Sequence, residues 1–323
     1  MNLIKILVTE PESCHEDYLA LLKKLGKVTA MKMSRRELLE KVAGYDVLVV
    51  GVETVVDKSV IDRAKKLKIV GSNTTGTDHI DVKYAESKGI KLITLRGATH
   101  LLEKIPSTAE HTFALILSLV RKIPWAFDSV RREEWVRKKF FGRELNGKTL
   151  GIVGFGRLGK KVAAYGKAFG MKVIAHDPFL SKSEISAQGV KPVDLKTILK
   201  ESDVISIHIH LSKETEGMVG LNEFKQMKKN PILINTSRGR IVDESALLKA
   251  LQKGLISGAA LDVLVSETLK ENPLRGNPLV KYSKKHDNLL ITPHLGGTAT
   301  EALRLSGLYV GKKINEEIKS KFF

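Results

Sequence analysis

Three glycines, Gly154, Gly156 and Gly159, follow an apolar run in the segment TLGIVGFGRLG, which covers residues 149–159 in the middle of the chain. Each has a use in binding a dinucleotide. Gly154 suits a tight turn, Gly156 leaves room for a pyrophosphate to approach the backbone, and Gly159 lets the following helix pack closely. That helix would offer free N–H groups and the positive end of its dipole to the phosphates. The spacing therefore predicts a dinucleotide-binding loop.

A carboxylate stands where such a loop needs one. A second strand is predicted at Lys172–Ala175, after the helix, and Asp177 follows it about twenty residues beyond the glycines. An acidic residue at this place accepts hydrogen bonds from the hydroxyl groups of the adenosine ribose and would repel a 2′-phosphate. The sequence therefore favours NAD over NADP as the dinucleotide.

Short apolar strands alternate with helical segments along the chain, which is typical of parallel sheets covered by helices. We therefore expect an α/β protein with two parallel-sheet domains. Further strands are predicted at Lys5–Val8, Lys27–Met31, Val47–Val50, Ile69–Val70, Lys91–Thr94, Val204–His208, Ile232–Asn235, Ser257–Asp262 and Leu289–Thr292.

Two helix starts carry the pattern of a capping box, a serine followed three residues later by a glutamate. Ser34 with Glu37 predicts the start of a helix at Arg35–Val42, and Ser107 with Glu110 predicts the start of an apolar helix at Thr108–Val120. The second helix would lead from one domain into the other. The last predicted helix, Thr298–Lys319, would pack back on the first domain.

The chain is strongly basic, with 54 Lys and Arg against 36 Asp and Glu and a formal net charge of +18. The positive charges are dispersed over predicted helix faces and turns, without a basic tail or interleaved aromatic residues. This pattern favours a solvated surface first, steering of an anionic substrate second and nucleic-acid binding last. We therefore expect no nucleic-acid partner.

The 323 residues are enough for two domains, and 42% hydrophobic with 28% charged residues fits a globular protein. No apolar run approaches the roughly twenty residues that span a bilayer, so no membrane partner is expected. The N-terminus predicts a first strand rather than a signal peptide, which suggests a cytoplasmic protein. The single cysteine excludes an internal disulfide framework, and no metal site is predicted.

Six motifs, in order along the chain, resemble those of the D-isomer-specific 2-hydroxyacid dehydrogenases, and the similarity is greatest to the short phosphoglycerate dehydrogenase-like branch. The resemblance extends over nearly the whole chain. The motifs are GSNTTGTDHID at 71–81, STAEH at 107–111, the glycine loop, NTSRG at 235–239, ALDV at 260–263 and TPHLGG at 292–297.

The resemblance implies a specific domain organisation. A Rossmann-type NAD-binding domain, residues 105–295, would be inserted into a discontinuous substrate domain, residues 1–104 and 296–323. It also implies a homodimer, with the helix Thr108–Val120 near the interface. Because the chain ends soon after its last predicted helix, we expect it to lack the regulatory domain of longer phosphoglycerate dehydrogenases.

Three residue types needed to reduce a 2-oxo acid are present: a cation for the carboxylate, a proton donor for the carbonyl oxygen, and a group that keeps the donor protonated. By resemblance, Arg238 would hold the carboxylate in its planar fork. His294 would be the acid in reduction and the base in oxidation. Glu267 would bind the imidazole, raise its pKa and fix its orientation.

The resemblance also implies binding residues. Thr108 and Asp262 would lie near the nicotinamide, where Asp262 would accept from the carboxamide, and the backbone of Gly76 and Thr77 would meet the substrate carboxylate. Cofactor contacts are implied for Thr108, Gly154, Gly156, Arg157, Leu158, Gly159, Asp177, His208, Thr215, Thr236, Ser237, Asp262 and Gly296. Substrate contacts are implied for Gly51, Val52, Thr75, Gly76, Arg238 and His294.

One departure from the family pattern concerns the substrate. In the phosphoglycerate branch an arginine that meets the substrate phosphate commonly follows the third strand, and here Gly51 takes its place. We therefore expect a small unphosphorylated 2-oxo acid to be reduced more efficiently than 3-phosphohydroxypyruvate. The segment 96–104 is longer than the usual loop, and its Arg96 and His100 are the nearest candidates to replace the missing arginine.

The sequence supports one main hypothesis, an NAD-dependent oxidoreductase that interconverts a small D-2-hydroxy acid and its 2-oxo acid. The substrate would resemble phosphoglycerate, hydroxypyruvate or glyoxylate. The alternative is a dinucleotide-sensing, corepressor-like binding protein with the same fold. A formate dehydrogenase is disfavoured, because that relative pairs its catalytic histidine with glutamine, whereas Glu267 is the candidate here.

Overall fold

The computed structural model describes residues 3–268, 272 and 274–322. These residues form two compact units. The first contains the described residues of Met1–Ile105 and Gly297–Phe323 together with Thr268, and the second contains those of Pro106–Glu267 and Asn272–Gly296.

The first unit is built on a parallel sheet of five described strands in the order β2-β1-β3-β4-β5. Successive side chains of β1 enter opposite cores: Ile6 and Val8 pack into one, and Leu7 packs into the other. The sheet is therefore covered on both faces, as its apolar strands predict. The strands are β1 Lys5–Val8, β2 Lys27–Ala30, β3 Val47–Val50, β4 Ile69–Ser72 and β5 Lys91–Ile93. The helices between and after them are α1 Glu16–Leu25, α2 Arg35–Lys41, α3 Lys58–Arg63, α4 Val82–Ser87 and α5 Thr99–Glu103.

The second unit contains a parallel sheet of seven described strands in the order β12-β11-β10-β9-β6-β7-β8. Its two faces are covered by separate apolar cores, which Ile234 and Leu233 of one strand enter on opposite sides. The strands are β6 Thr149–Val153, β7 Lys172–His176, β8 Lys191–Pro192, β9 Val204–Ile207, β10 Ile232–Asn235, β11 Gly258–Leu261 and β12 Leu289–Ile291. The helices are α6 Ser107–Val120, α7 Ile123–Arg131, α8 Arg157–Ala168, α9 Lys182–Ser186, α10 Leu195–Glu201, α11 Leu221–Gln226, α12 Glu244–Gln252 and α13 Pro278–Ser283.

The C-terminal helix α14, Thr300–Phe322, returns to the first unit. It packs against α1 and β4, and its Val310 and Ile314 enter the core beneath the sheet. The ring of Tyr18, on α1, is fully buried against Gly307 of this helix. The last helix thus packs on the first block of strands, as the sequence predicts.

One of the two predicted capping boxes is confirmed. Ser34 accepts from the Glu37 backbone while the Glu37 side chain accepts from the Ser34 backbone. The box at Ser107 is wrong, because helix α6 begins one residue earlier and Pro106 is its N-cap. The Pro106 carbonyl accepts the first helical N–H groups, so the Ser107 hydroxyl lies inside the helix and caps nothing.

The described helices include none that is long and apolar enough to cross a bilayer. Within the same residues, no group of three or more His, Cys, Asp or Glu side chains is placed to hold a metal ion.

The packing of α14 on α1 leads to a test of stability. A Cβ atom added at Gly307 would lie 2.7 Å from the ring of Tyr18, which cannot move away because it is fully buried. We expect Gly307→Ala to destabilise the protein by about 1–3 kcal/mol through overpacking, despite the better helix propensity of alanine. The measurement is urea unfolding followed by circular dichroism.

Gly44→Ala is the matched control for this substitution, since a Cβ atom at Gly44 would meet no atom within 4 Å. Its unfolding midpoint should stay close to that of the native protein. Equal stability of Gly307→Ala and the native protein would show that α14 does not pack against Tyr18 as described.

Candidate active site

The three residues implied in catalysis follow three neighbouring strands of the second unit. Arg238 lies after β10, Glu267 after β11 and His294 after β12. Because these strands are parallel, their carboxyl ends meet at one edge of the sheet, which is where open α/β sheets bind ligands. The topology therefore brings together three side chains that are far apart in sequence.

Glu267 and His294 form a direct pair. The Nδ1 atom of His294 lies 3.2 Å from Oε2 of Glu267, and each side chain is 23% exposed. Burial by itself would lower the pKa of His294, and so would the nearby charge of Arg238. The hydrogen bond and negative charge of Glu267 outweigh both, so the pKa of His294 lies above its ordinary value. The imidazole is thus suited to carry a proton near neutral pH, with Nε2 left to exchange it.

A close approach of two chain segments positions Arg238 beside this pair. A Cβ atom on the next residue, Gly239, would lie 2.2 Å from the carbonyl carbon of Leu264 and 2.4 Å from the nitrogen of Val265. Only glycine allows the segment that leads to Glu267 to pass so near the backbone after Arg238. Glycine at this position therefore brings the arginine and the glutamate to the same edge.

Asn235 fixes the turn that carries the arginine. Its Nδ2 atom donates to the carbonyl of Arg238 at 2.9 Å, and its Oδ1 atom accepts from the N–H of Ser237 at 3.0 Å. The Ser237 hydroxyl donates to the carbonyl of Ile207 at 2.6 Å. One guanidinium nitrogen of Arg238 donates to the Ser237 carbonyl at 2.7 Å. The turn is thus held rigidly from both sides.

The Asp262 carboxylate, only 1% exposed, fixes the turn after β12 through hydrogen bonds. One oxygen accepts from the Thr292 hydroxyl at 2.5 Å and from the N–H of Leu295 at 2.8 Å, and the other accepts from the N–H of Gly296 at 2.8 Å. His111 Nε2, on α6, lies 3.1 Å from the first oxygen. Burial opposes ionisation, but these hydrogen bonds outweigh it, so the pKa of Asp262 lies below its ordinary value.

This network imposes an uncommon backbone conformation on His294. Its φ angle is +56°, in the left-handed region that residues other than glycine seldom adopt. The His294 N–H donates to the carbonyl of Asp262 at 2.9 Å. Strain of this kind persists where surrounding contacts enforce it, and it is common at functional sites. Four donors from the protein already surround the Asp262 carboxylate. Its contact with a nicotinamide carboxamide stays a prediction.

The glycine loop after β6 has the geometry that a dinucleotide requires. Gly154 has a φ angle of +91°, and a Cβ atom there would lie 2.6 Å from the carbonyl oxygen of His208. A Cβ atom at Gly159 would lie 2.2 Å from the carbonyl oxygen of Gly154. Gly156, by contrast, is exposed at the start of α8, and a Cβ atom there would meet nothing within 4 Å. Packing thus requires glycine at positions 154 and 159, and Gly156 leaves open space beside the backbone, so the loop fits a pyrophosphate.

Asp177 follows β7 and faces this loop. Its carboxylate accepts from the N–H of Phe155 at 2.8 Å and from the N–H of Phe179 at 2.9 Å. A carboxylate offers about four lone-pair directions, so it can accept from ribose hydroxyls while it holds the loop. The residues present therefore fit the adenosine side of NAD.

Most other residues implied in cofactor binding already bond within the second unit. Thr236 bonds Thr112 at 2.9 Å, and Thr112 also donates to the carbonyl of Thr108 at 2.7 Å. Thr215 donates to the carbonyl of His210 at 2.7 Å and so closes a turn. Arg157 and Leu158 are half-buried at the start of α8, where burial lowers the pKa of Arg157.

His208 differs from these residues because one of its ring nitrogens has no hydrogen-bond partner among the described residues. Burial lowers its pKa to about 4, so the imidazole is neutral. Its Nε2 atom bonds the Ser206 hydroxyl at 2.8 Å, while Nδ1 is buried without a partner among the described residues. The residue stands beside Gly154, where the strand order reverses between β6 and β9.

The residues implied in substrate binding from the first half of the chain lie in the first unit. Gly51 and Val52 follow β3, and Thr75 and Gly76 follow β4, so all four lie at the carboxyl edge of that sheet. The segment 96–104, expected as a long loop, instead contains α5, whose Leu101 and Leu102 pack on the core while Arg96 and His100 are exposed.

Sequence reasoning did not identify three residues that shape these loops. His111 and Thr292 orient Asp262, and both stand inside motifs that were quoted for the family resemblance. Glu244 accepts from the N–H of Val265 at 2.7 Å and supports the segment before Glu267. The positions of His111 and Thr292 within family motifs could have indicated a role at the site. Glu244 lies at the start of an ordinary helix, and no sequence motif marks it.

Comparison with known proteins points to one family. Residues 113–296 match the family model described as D-isomer specific 2-hydroxyacid dehydrogenase, NAD binding domain. The chain is 43% identical over 313 residues to D-3-phosphoglycerate dehydrogenase of Archaeoglobus fulgidus, covering 96% of this chain and 56% of the relative. It is 42% identical over 275 residues to glyoxylate reductase of Thermococcus litoralis, covering 83% of this chain and 79% of the relative.

A solved structure is similar over nearly the whole chain. The crystal structure of D-lactate dehydrogenase from Aquifex aeolicus with NAD and lactic acid has a TM-score of 0.83 at 30% identity, covering 98% of this chain and 96% of that one. The chain spans little more than half the length of the phosphoglycerate dehydrogenases it matches, 56% and 58% for the two archaeal ones.

These matches confirm the two parallel-sheet α/β domains and NAD as the dinucleotide of the glycine loop. The family model covers more than half of the chain, and the Thermococcus relative is similar over most of both chains. The protein therefore belongs to the D-isomer specific 2-hydroxyacid dehydrogenase family, as its motifs predict.

Proposed function

We propose that the protein is an NAD-dependent oxidoreductase that interconverts a small D-2-hydroxy acid and its 2-oxo acid. The observation that carries this proposal is the Glu267–His294 pair, 3.2 Å apart, with the charge of Arg238 beside it. The pair stands at the same sheet edge as the glycine loop. A proton carrier, a cation and a dinucleotide loop on one edge are the parts that this reaction needs.

NADH, when bound, supplies the hydride that reduces the carbonyl carbon. In our proposal Arg238 binds the substrate carboxylate and polarises the carbonyl. His294 donates a proton from Nε2 to the carbonyl oxygen, and Glu267 stabilises the charged imidazole until that transfer. In the reverse direction the neutral His294 removes the hydroxyl proton.

We assign residues 105–295 to the NAD-binding domain and residues 1–104 and 296–323 to the substrate domain. The two compact units, which divide after Ile105 and after Gly296, support this assignment. The glycine loop and Asp177 would hold the pyrophosphate and adenosine. Gly51, Val52, Thr75 and Gly76 remain proposed substrate contacts, and a cytoplasmic location without nucleic-acid partners remains an expectation.

The alternative, a dinucleotide-sensing binding protein, has less support. Such a protein has no need for a partly buried histidine whose pKa is raised by a neighbouring glutamate, and this pair is present. The relatives reported above are also named as dehydrogenases and reductases. Both observations favour the enzyme.

We also propose a homodimer formed through α7 and the segment after it. Helix α6, which the resemblance places near the interface, turns most of its apolar residues into the core of the second unit. The next segment exposes apolar side chains instead, and an exposed apolar cluster of this kind marks an interaction surface. The exposed side chains are Ile123, Phe127, Val130, Trp135, Val136 and Phe141.

Replacement of His294 tests the proposed acid. His294→Ala should lower turnover by about 10²- to 10⁴-fold, because proton donation acts in the transition state, and should leave NADH affinity nearly unchanged. The measurements are steady-state kinetics with a 2-oxo acid and NADH titration by fluorescence. His286→Ala, an exposed histidine of the same unit, is the matched control. Lost cofactor affinity with normal turnover per bound complex would make His294 a structural residue.

The pH profile tests the role of Glu267. The raised pKa of His294 keeps the acid form available for reduction up to that pKa, and reduction declines as pH rises through it. Glu267→Gln removes the larger of the two negative charges that raise the pKa of His294, the other being that of Asp262, while burial and Arg238 still lower it. The decline of reduction and the onset of oxidation should therefore both move to lower pH.

Glu201→Gln, at an exposed site on α10, is the control for the pH profile and should leave it in place. An unshifted profile for Glu267→Gln would remove this residue from its assigned role.

Light scattering after size exclusion tests the homodimer. The native chain should show twice its monomer mass of 35.7 kDa. The double variant Phe127→Asp, Trp135→Asp should dissociate, since both rings are more than 60% exposed and would be covered by the partner. Phe179→Asp, which changes a 92% exposed ring elsewhere, should remain dimeric. A native monomer, or a double variant that stays dimeric, would contradict this interface.

A further inference from the structure

The sheet of the first unit reverses its direction of growth between β1 and β3. The chain passes from β1 to β2 on one side and then crosses to β3 on the other, where β1 and β3 pair directly. In open α/β sheets, ligands bind outside the carboxyl ends of the strands at such a switch point. Glu10 follows β1 and the loop 51–54 follows β3, so both stand at this point.

Glu10 occupies the backbone donors of that loop. Its side chain is buried, at 4% exposure. One carboxylate oxygen accepts from the N–H of Gly51 at 3.1 Å and from the N–H of Thr54 at 2.8 Å, and the other accepts from the N–H of Glu53 at 3.3 Å. Converging backbone N–H groups of this kind form an anion-binding site. Here the anion is the chain's own carboxylate.

The same carboxylate explains the glycine after β3. A Cβ atom at Gly51 would lie 2.1 Å from one Glu10 oxygen, and that side chain is held by three hydrogen bonds. A larger residue, an arginine included, therefore cannot stand at position 51 while Glu10 stays in place. Glu10 and Gly51 form one structural unit.

Two cations beside the loop, Lys32 and Arg35, form ion pairs with carboxylates. Lys32 lies 3.2 Å from Glu12 and 3.1 Å from Glu53. Arg35 donates to both carboxylate oxygens of Asp57 at 2.6 Å. An incoming phosphate would meet the Glu10 carboxylate and cations that are committed to other groups, so it would be repelled.

We propose that Glu10 is a specificity-determining residue, which fills the anion site at the β1/β3 switch point and restricts the substrate to small 2-oxo acids without a phosphate. This inference rests on the proposed function, in which the loop after β3 contacts the substrate. It assigns the exclusion of phosphate to one buried carboxylate and not merely to a missing arginine.

The direct test compares hydroxypyruvate with 3-phosphohydroxypyruvate, which differ by the phosphate alone. The measurement is kcat/KM with NADH, at one pH and one ionic strength, for the native protein, Glu10→Gln and Glu16→Gln. The native protein should prefer hydroxypyruvate. Glu10→Gln should shift the ratio toward the phosphorylated acid by about tenfold, the scale of one charge-assisted contact.

Glu16→Gln removes the same charge from an exposed residue at the start of α1, outside the loop contacts described above, so it should leave the ratio nearly unchanged. An equal shift in both variants would indicate a general charge effect and overturn the proposal. An unchanged ratio in a folded Glu10→Gln protein would overturn it too. A native preference for the phosphorylated acid that Arg96→Ala removes would do the same, and would move the phosphate site to the α5 segment.

A second measurement uses the native protein alone, in case Glu10→Gln does not fold. Inorganic phosphate should inhibit the reduction of hydroxypyruvate no more than chloride at equal ionic strength, because its binding groups are occupied. Competitive inhibition specific to phosphate would overturn the proposal. A native protein that binds NADH but reduces neither these two acids nor any other small 2-oxo acid, glyoxylate included, would overturn the proposed function itself, which separates the two failures.

Discussion

The proposed active site depends on one buried carboxylate, that of Asp262. It gathers a histidine from α6, a hydroxyl from the end of β12 and two backbone N–H groups from the following turn. Without these donors the buried charge would be costly, and without the charge the donors would be unsatisfied. Together they hold His294 in a left-handed conformation from which its ring reaches Glu267. The placement of the proton carrier is thus a consequence of charge burial.

The same physical solution recurs at other strand ends. Asp177, after β7, accepts from the backbone of the glycine loop, and Glu10, after β1, accepts from the loop after β3. Loops at the carboxyl ends of parallel strands contain N–H groups that have left the sheet ladder, and a carboxylate can accept from several of them. Each loop is thereby fixed before a ligand arrives, which lowers the cost of binding. The consequence for Glu10 is that the fixed loop no longer has free donors for an anion.

Much of this organisation could be predicted from the sequence. The glycine spacing, the carboxylate about twenty residues later and the alternation of strands and helices are local patterns, and each depends on local backbone geometry. The association of Arg238, Glu267 and His294 was implied only by resemblance. Nothing within the sequence near any one of them indicates that parallel strands bring their loops to one edge.

Other features could not be predicted because they depend on distant partners. Glu10 bonds residues more than forty positions away, and His111 bonds Asp262 across 151 positions. The capping box at Ser107 failed because the carbonyl of Pro106 accepts the first helical N–H groups. The segment 96–104 contains the helix α5 instead of being a loop throughout, because Leu101 and Leu102 pack on an apolar core, which local propensity does not reveal.

The proposed mechanism requires that Glu267 hold a proton on His294 in spite of its partial burial. The most direct measurement is the titration of the His294 ring by NMR in the native protein, with its signal assigned by comparison with His294→Asn. We expect a pKa above 6.5, the ordinary histidine value. A His294 ring that titrates at or below that value would mean that burial and Arg238 dominate, and would contradict the claim.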